Sequence, residues 1–172
     1  MNLIDLAYTV FITLALCATY GIILELFPRL FVQERSTSLK NPLPTLFFII
    51  IFSTLSYTVS IAIPDPSLSN RVLHVFGGGF LAFAVSFLAA RDSQISINKF
   101  QLLVISTLIS LALGVANELL EFILQSSGLV IAARNVDDTW FDLASNTIGI
   151  ILASIIFVPL HKEIDYKPRV RT

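Results

Sequence analysis

Five ionisable side chains stand inside or directly beside long apolar segments of this chain. They are His74, Glu118, Glu121, Asp138 and Asp142. Lipid cannot solvate a charge, so ionisable residues in such segments are rare and are read first as functional sites. Imidazole and carboxylate groups gathered there could share protons, bind a cation or hold helices together. The residue types therefore predict a polar site in a membrane protein, with its ligand left open.

Helical spacing places the acidic residues on two faces. Glu118 and Glu121 are three positions apart, and Asp138 and Asp142 are four apart, so each pair shares one side of a helix. Small residues allow helix backbones to approach closely in lipid. The second face continues through an amide to such small residues, namely Asn146, Gly149 and Ala153. We expect both faces to point towards a third segment that carries His74.

A cation is one way to hold several carboxylates together in a medium of low dielectric constant. The predicted ligands are Glu121, Asp142 and His74, and we expect Glu121 to lie deeper than Glu118. Oxygen ligands suit Mg²⁺, Ca²⁺ or Mn²⁺, whereas a histidine ligand also admits Zn²⁺. Shared protons, or Arg134 together with a protonated His74, are the alternatives to a cation.

The remaining candidates extend the site around these ligands. Asp138 either joins the site or caps its helix, and Asn146 either binds a ligand or makes a hydrogen bond between helices. Arg134, in a loop, could receive an anionic head group. The full predicted ligand-binding set is His74, Glu118, Glu121, Arg134, Asp138, Asp142 and Asn146, and no catalytic residue is assigned.

Composition indicates a membrane protein. Of 172 residues, 55% are hydrophobic and 13% are charged, and the mean hydropathy is +0.82. Soluble domains carry about 25% charged residues. The net charge of −1 gives no reason to expect a nucleic-acid partner. The single cysteine, Cys17, excludes an internal disulfide and a thiolate metal cluster.

Five segments are long enough to cross a bilayer, which takes about 20 apolar residues. Proline-rich or charged stretches separate them, such as Pro64-Asp65-Pro66 and Arg91-Asp92-Ser93. The predicted fold is an all-α, polytopic transmembrane helix bundle, with residues 1–172 forming one integral membrane domain. The predicted spans are residues 3–27, 43–63, 71–90, 100–125 and 138–160.

The distribution of Lys and Arg predicts how the bundle is oriented. With five spans, nine of the eleven basic residues fall on one side and only Arg71 and Arg134 on the other. Basic residues accumulate in cytoplasmic loops. We therefore predict a multi-pass protein of the cell membrane, with its N-terminus outside and its C-terminus in the cytoplasm. The same topology brings the histidine and all four acids to the outer face, although none of them entered the count.

Three separated motifs resemble known membrane proteins. They are Arg71-Val-Leu-His74, Glu118-Leu-Leu-Glu121-Phe, and Asp138-Thr-Trp-Phe-Asp142-Leu followed by Asn146 and Gly149. Together they resemble the VanZ-like proteins and the related family typified by YjdF. The paired Glu-x-x-Glu and the Asp-Thr-x-x-Asp fit the YjdF-like family better. The resemblance covers about residues 71–155.

The resemblance implies a functional site in a bacterial or archaeal membrane protein, but it does not imply a particular reaction. VanZ-like proteins are associated with reduced susceptibility to glycopeptides of the teicoplanin type, and the YjdF-like family has no assigned reaction. Membrane lipids and a lipid-linked envelope molecule are therefore the expected partners.

Three functions compete on the sequence alone. The first is a site that binds a lipid-linked or cell-envelope molecule at the outer leaflet, with or without chemistry upon it. The second is proton- or cation-coupled transport with the carboxylates as a relay. The third is a structural or accessory subunit that docks a membrane-protein partner. Whether the protein is an enzyme is left open.

Overall fold

A computed structural model describes residues 3–31, 41–128 and 136–161. These residues form helices and short connections, without any strand among them. The elements are α1 (Leu3–Leu30), α2 (Leu43–Ile61), α3 (Pro66–Leu73), a π-helical segment (His74–Phe80), α4 (Leu81–Asp92), α5 (Lys99–Ser126) and α6 (Val136–Leu160).

Five helical stretches in the described ranges are long and apolar enough to cross a membrane, which confirms the predicted all-α, five-span fold. They are Leu6–Leu30, Leu43–Ile61, Pro66–Asp92, Lys99–Ser126 and Asp137–Leu160. The third span runs without a break through α3, the π-helical segment and α4.

The third span begins earlier than the sequence predicted, at Pro66 rather than residue 71. The Asp65 side chain accepts a hydrogen bond from the Ser67 amide, and Pro66 occupies the first turn. An N-cap aspartate followed by proline is a strong helix start, because it satisfies one exposed amide and needs no hydrogen bond at the next residue. His74 therefore lies two turns inside its span instead of one.

α4 is the centre of the bundle. Every residue from Leu81 to Ala90 is buried. The other four spans keep most of their side chains at the surface, including large apolar ones such as Phe47 and Leu108. Exposed apolar side chains on a span are the surface that lipid covers. The α4 part of the third span is thus a core helix, whereas α3 contains no buried residue.

Close backbone packing joins the π-helical segment to α6. A Cβ atom on Gly79 would overlap the carbonyl oxygen of Asn146, and one on Gly149 would overlap the carbonyl oxygen of Val75. Gly78 meets the Asn146 side chain in the same way. The expectation that Gly149 allows helix backbones to approach closely is confirmed. The wider π-helical turn carries Gly77, Gly78 and Gly79 in succession, and such turns occur frequently at functional sites.

The two ends of the bundle hold separate polar groups. We call the end that contains His74 the acidic end; α1, α3 and α6 begin there. At the opposite end, Asp92 is 1% exposed and accepts hydrogen bonds from Tyr20 at 3.0 Å and Thr45 at 2.6 Å. Arg91 donates to the same carboxylate at 2.9 Å. Asp92 thereby ties α1 and α2 to the end of α4, a role that the sequence did not reveal.

Candidate functional site

His74 is the centre of the candidate site. Its side chain is buried at the first position of the π-helical segment. The Nδ1 atom lies 3.8 Å from Oε1 of Glu118, and the Nε2 atom lies 3.6 Å from Oδ2 of Asp142. The imidazole ring therefore stands between two buried carboxyl groups that belong to two other spans.

These three side chains form a compact donor group. One ring nitrogen of His74 and one carboxyl oxygen from each of Glu118 and Asp142 all lie within 4.8 Å of one another. Each residue is at most 8% exposed. The expectation that the third, fourth and fifth spans bring polar side chains together is confirmed for these three residues. We refer to them below as the three-residue cluster.

The two glutamates have the opposite order of depth in the bundle from the one predicted from the sequence. The expectation that Glu121 lies deeper than Glu118 is wrong, because α5 ends at Ser126 and Glu118 is the residue farther from that end. At 1.5 Å per residue, Glu118 lies about 12 Å along the helix from Ser126. Glu118 is 8% exposed, whereas Glu121 is only half-buried.

Glu121 has different partners, supplied by α1 and by its own helix. The Tyr8 hydroxyl donates to Oε1 of Glu121 at 3.1 Å and to Oδ1 of Asn117 at 2.8 Å. The Asn117 amide also donates to Oε1 of Glu121, at 2.8 Å. Sequence analysis missed Tyr8 and Asn117. Asn117 could have been found, because it precedes Glu121 by one helical turn.

Asp142 is held in place by an amide from α3. The Nδ2 atom of Asn70 lies 2.9 Å from Oδ1 and 3.0 Å from Oδ2 of Asp142. Neighbouring hydrogen bonds of this kind fix the orientation of side chains that bind metals. Asn70 was also missed, although it lies one turn before His74 on the same helix face.

Asn146 fills the space where the π-helical segment, α5 and α6 meet. Its side chain lies against Gly78, and a Cβ atom on Gly114 would stand 3.2 Å from its Nδ2 atom. Asn146 is 4% exposed and its side chain lies near His74, but its Oδ1 atom has no partner within hydrogen-bond distance among the described residues. A buried amide oxygen without a partner costs about 1–3 kcal/mol, so it needs a reason to be there.

Arg71 lies one turn nearer the acidic end than His74. Its guanidinium carbon stands 4.3 Å from the centre of the Phe141 ring, which gives a cation–π contact. The Nε atom is buried and has no hydrogen-bond partner in the described part of the chain. From the sequence, Arg71 served to assign orientation and formed part of one resemblance motif, but it was not among the predicted ligand-binding residues.

Asp138 is not one of the three cluster residues, but it lies near enough to act electrostatically on all of them. Asp138 is half-buried in the first turn of α6, one turn before Asp142. Arg134 lies outside the described residues, so the structure says nothing of its predicted role with an anionic head group.

The donor atoms of the cluster are near enough to one another to be compared with a metal site. Zinc binds nitrogen and oxygen ligands at about 2.0–2.2 Å, which puts the ligand atoms of a tetrahedral site roughly 3.4 Å apart. A single ion binds only one nitrogen of an imidazole ring, whereas the 3.8 Å and 3.6 Å separations start from Nδ1 and Nε2 respectively, so they do not both belong to one coordination shell. With one nitrogen chosen, the three donor atoms lie within 4.8 Å of one another. Side-chain movements of up to roughly 1.4 Å would close these donors around an ion. A proton on the imidazole, shared with the two carboxylates, is the other way to balance the charge.

The fold and the cluster define the class of protein: a polytopic α-helical membrane protein with a buried histidine–carboxylate group towards one end of its helix bundle. The sequence matches the family described as predicted membrane protein DUF2238 over residues 5–163, and the chain belongs to that family. The match covers the described spans and the whole candidate site. No curated protein and no solved structure matches the chain.

Proposed function

We propose that this membrane protein binds a divalent cation through His74, Glu118 and Asp142, and uses it to hold a lipid-linked or cell-envelope ligand at the outer leaflet. One observation carries the proposal. Oε1 of Glu118 is buried inside the cluster, without a hydrogen-bond partner among the described residues. It lies beside a histidine nitrogen and within reach of a second carboxylate. A cation would satisfy this oxygen and neutralise both acids.

The donor set favours a transition-series or zinc ion. Mg²⁺ and Ca²⁺ are bound through oxygen atoms, whereas imidazole nitrogen suits Zn²⁺ and related ions. Mn²⁺ accepts carboxylate ligands and was also expected from the sequence. We therefore place Zn²⁺ and Mn²⁺ ahead of Mg²⁺ and Ca²⁺ as occupants of the three-residue cluster.

Three protein donors leave coordination positions open. Structural zinc sites use four protein ligands, while sites that act on a substrate keep a position for water or for the substrate. The VanZ-like and YjdF-like resemblance supports an envelope molecule as that ligand. If chemistry follows binding, the ion would polarise a phosphoryl oxygen or activate water, and Glu121 is the nearby carboxylate that could accept a proton.

The test is the thermal stability of the purified protein in detergent across Zn²⁺, Mn²⁺, Mg²⁺ and Ca²⁺. A cation at 100 times its dissociation constant stabilises the folded state by about 2.7 kcal/mol. We expect this stabilisation with Zn²⁺ or Mn²⁺ and expect Asp142→Asn to abolish it. Glu25→Gln is the matched control, because Glu25 is an acid at the opposite end paired with Arg29.

The competing function is a structural one, in which the polar cluster holds the helices together without an ion. It makes a different prediction in the same experiment. It is favoured by the two hydrogen-bond contacts of Asn70 with Asp142, which would join α3 to α6 without any ion. In that case no cation stabilises the protein, stability rises when acidic pH protonates the carboxylates, and Asp142→Asn lowers stability at every cation concentration. That pattern would contradict the cation site.

A further inference from the structure

We propose that Arg71 is the anion-binding residue of this site, and that the ligand it receives is a phosphate group bound simultaneously by the cation in the three-residue cluster. The inference rests on the proposed cation site and names the chemical class of its ligand. It gives Arg71 an anion-binding role of the kind predicted from the sequence for Arg134, which lies outside the described residues.

The first support is the set of buried polar atoms without partners. In the described residues these atoms are Arg71 Nε, Glu118 Oε1, Asn146 Oδ1 and two serine hydroxyls, of Ser86 and Ser106. The first three belong to the site or border it. The Nε atom of Arg71 is a hydrogen-bond donor on a positively charged side chain, and the oxygens of Glu118 and Asn146 are acceptors. A bound cation satisfies an acceptor, and an anion satisfies the donor, so a cation together with an anion complements this set.

The second support is the position of Arg71 relative to the cluster. Arg71 and His74 are three residues apart on a helical stretch, so they lie on one face with Arg71 nearer the acidic end. Asn70, the preceding residue, contacts Asp142 directly. Arg71 also packs on Phe141, the residue before Asp142. The guanidinium thus stands at the edge of the cluster, between it and the end of the bundle.

The third support is how the Arg71 side chain is held. Packing over the Phe141 ring fixes the plane of the guanidinium and leaves its edge to make hydrogen bonds. A planar arginine edge matches two phosphate oxygens with paired, charge-assisted hydrogen bonds. The carboxylate of Asp142, the residue after Phe141, already receives hydrogen bonds from Asn70.

Phosphate is the anion that we expect at the depth of the three-residue cluster. The cluster lies about 12 Å along α5 from its end, close to the boundary between lipid head groups and acyl chains. A phosphate oxygen can fill the open position of a cation held by three protein ligands. The phosphate could come from a lipid head group or from solution, and the two sources present the same chemistry to Arg71.

The experiment uses the full-length protein in detergent, loaded with the cation that stabilises it most. Calorimetry measures its affinity for two phosphate probes: inorganic phosphate and short-chain phosphatidic acid. Diacylglycerol with the same chains is the control without phosphate. Arg71→Gln is compared with Arg29→Gln, which removes an exposed guanidinium at the opposite end. Cation affinity is measured separately for every variant.

We expect Arg71→Gln to weaken binding of the phosphate probes by about tenfold or more, the loss of a charge-assisted hydrogen bond, while Arg29→Gln has no effect. Cation affinity should change less than about threefold, because Arg71 is not a cation ligand. Arg71→Lys keeps the charge but lacks the planar edge and the Nε donor, so it should also bind phosphate more weakly than wild type. It serves as the second variant if Arg71→Gln does not fold.

The outcomes separate the two proposals. Normal cation affinity with phosphate binding unchanged in both Arg71 variants, or with no phosphate binding in the wild type, overturns the role of Arg71 and leaves the cation site standing. No cation binding in the wild type overturns the cation site and this inference with it. When phosphate binding depends on Arg71, equal affinity for both probes points to phosphate alone, and binding of phosphatidic acid only points to a lipid.

Discussion

The Nε2 atom of His74 lies 3.6 Å from Oδ2 of Asp142, which joins the third span to the fifth in the apolar part of the bundle. This contact depends on close backbone packing one to two turns deeper. There the π-helical segment that begins with His74 meets α6 through Gly78, Gly79 and Gly149.

The glycine contact gives the first prediction. Gly79→Ala should destabilise the protein by about 2 kcal/mol, because the added Cβ atom would overlap the Asn146 carbonyl oxygen and backbone would have to move. Gly21→Ala is the control, since nothing lies within 4 Å of a Cβ atom there. It should leave stability unchanged or raise it by up to about 1 kcal/mol. Denaturant unfolding in detergent measures both, and equal effects would contradict the close packing.

The two glutamates should differ in their effect on cation binding. Glu118→Gln removes a donor of the three-residue cluster and should weaken cation affinity by about a hundredfold. Glu121→Gln alters a neighbour that is bonded to Tyr8 and Asn117 and that acts on His74 through its charge, and it should cost about tenfold or less. Calorimetric titration with Zn²⁺ or Mn²⁺ checks the order. A larger loss in Glu121→Gln would restore the ligand set that the sequence predicted.

Asp92 should matter for stability and not for the site. Asp92→Asn removes the charge that accepts hydrogen bonds from Tyr20, Thr45 and Arg91, and should lower the free energy of unfolding by about 2 kcal/mol. Cation affinity should stay within about threefold of wild type, because Asp92 lies at the opposite end of the bundle. Unfolding and titration of the same sample test both parts. A selective loss of cation binding would show that the two ends are coupled.

The orientation of the bundle is predicted from basic residues alone and can be tested by labelling. In a Cys17→Ser background, Ser127→Cys marks the acidic end and Lys99→Cys marks the opposite end; both positions are exposed. A membrane-impermeant maleimide added to intact cells should label the cysteine at 127 and reach the one at 99 only after permeabilisation. The reverse pattern would place the site at the cytoplasmic face.

Much of the fold could be predicted, because apolar length and proline or charged breaks determine where spans begin and end. The choice between Glu118 and Glu121 could not. The two residues are about 60° apart around one helix, so the rotation of α5 decides which of them faces His74. The Tyr8 hydroxyl binds Glu121 from α1, and no spacing rule within α5 reveals a contact from another span.

The π-helical segment and the buried Asp92 were beyond sequence analysis for a related reason. No spacing within residues 74–80 indicated the wider turn, whose glycines pack against α6, a segment distant in the sequence. Asp92 follows Arg91 at the end of a span, where a charged pair normally ends a helix in water. Its burial depends on Tyr20 and Thr45, which come from two other spans.

The most direct test of the central claim is the amount of metal bound at equilibrium. Wild-type protein would be dialysed against Zn²⁺ or Mn²⁺ and analysed for metal per chain, beside His74→Gln, Glu118→Gln, Asp142→Asn and the control Glu25→Gln. The cation site predicts about one ion per chain in the wild type and the control, and a much lower content in the other three. Equal metal content in all five proteins, or none in the wild type, would contradict it.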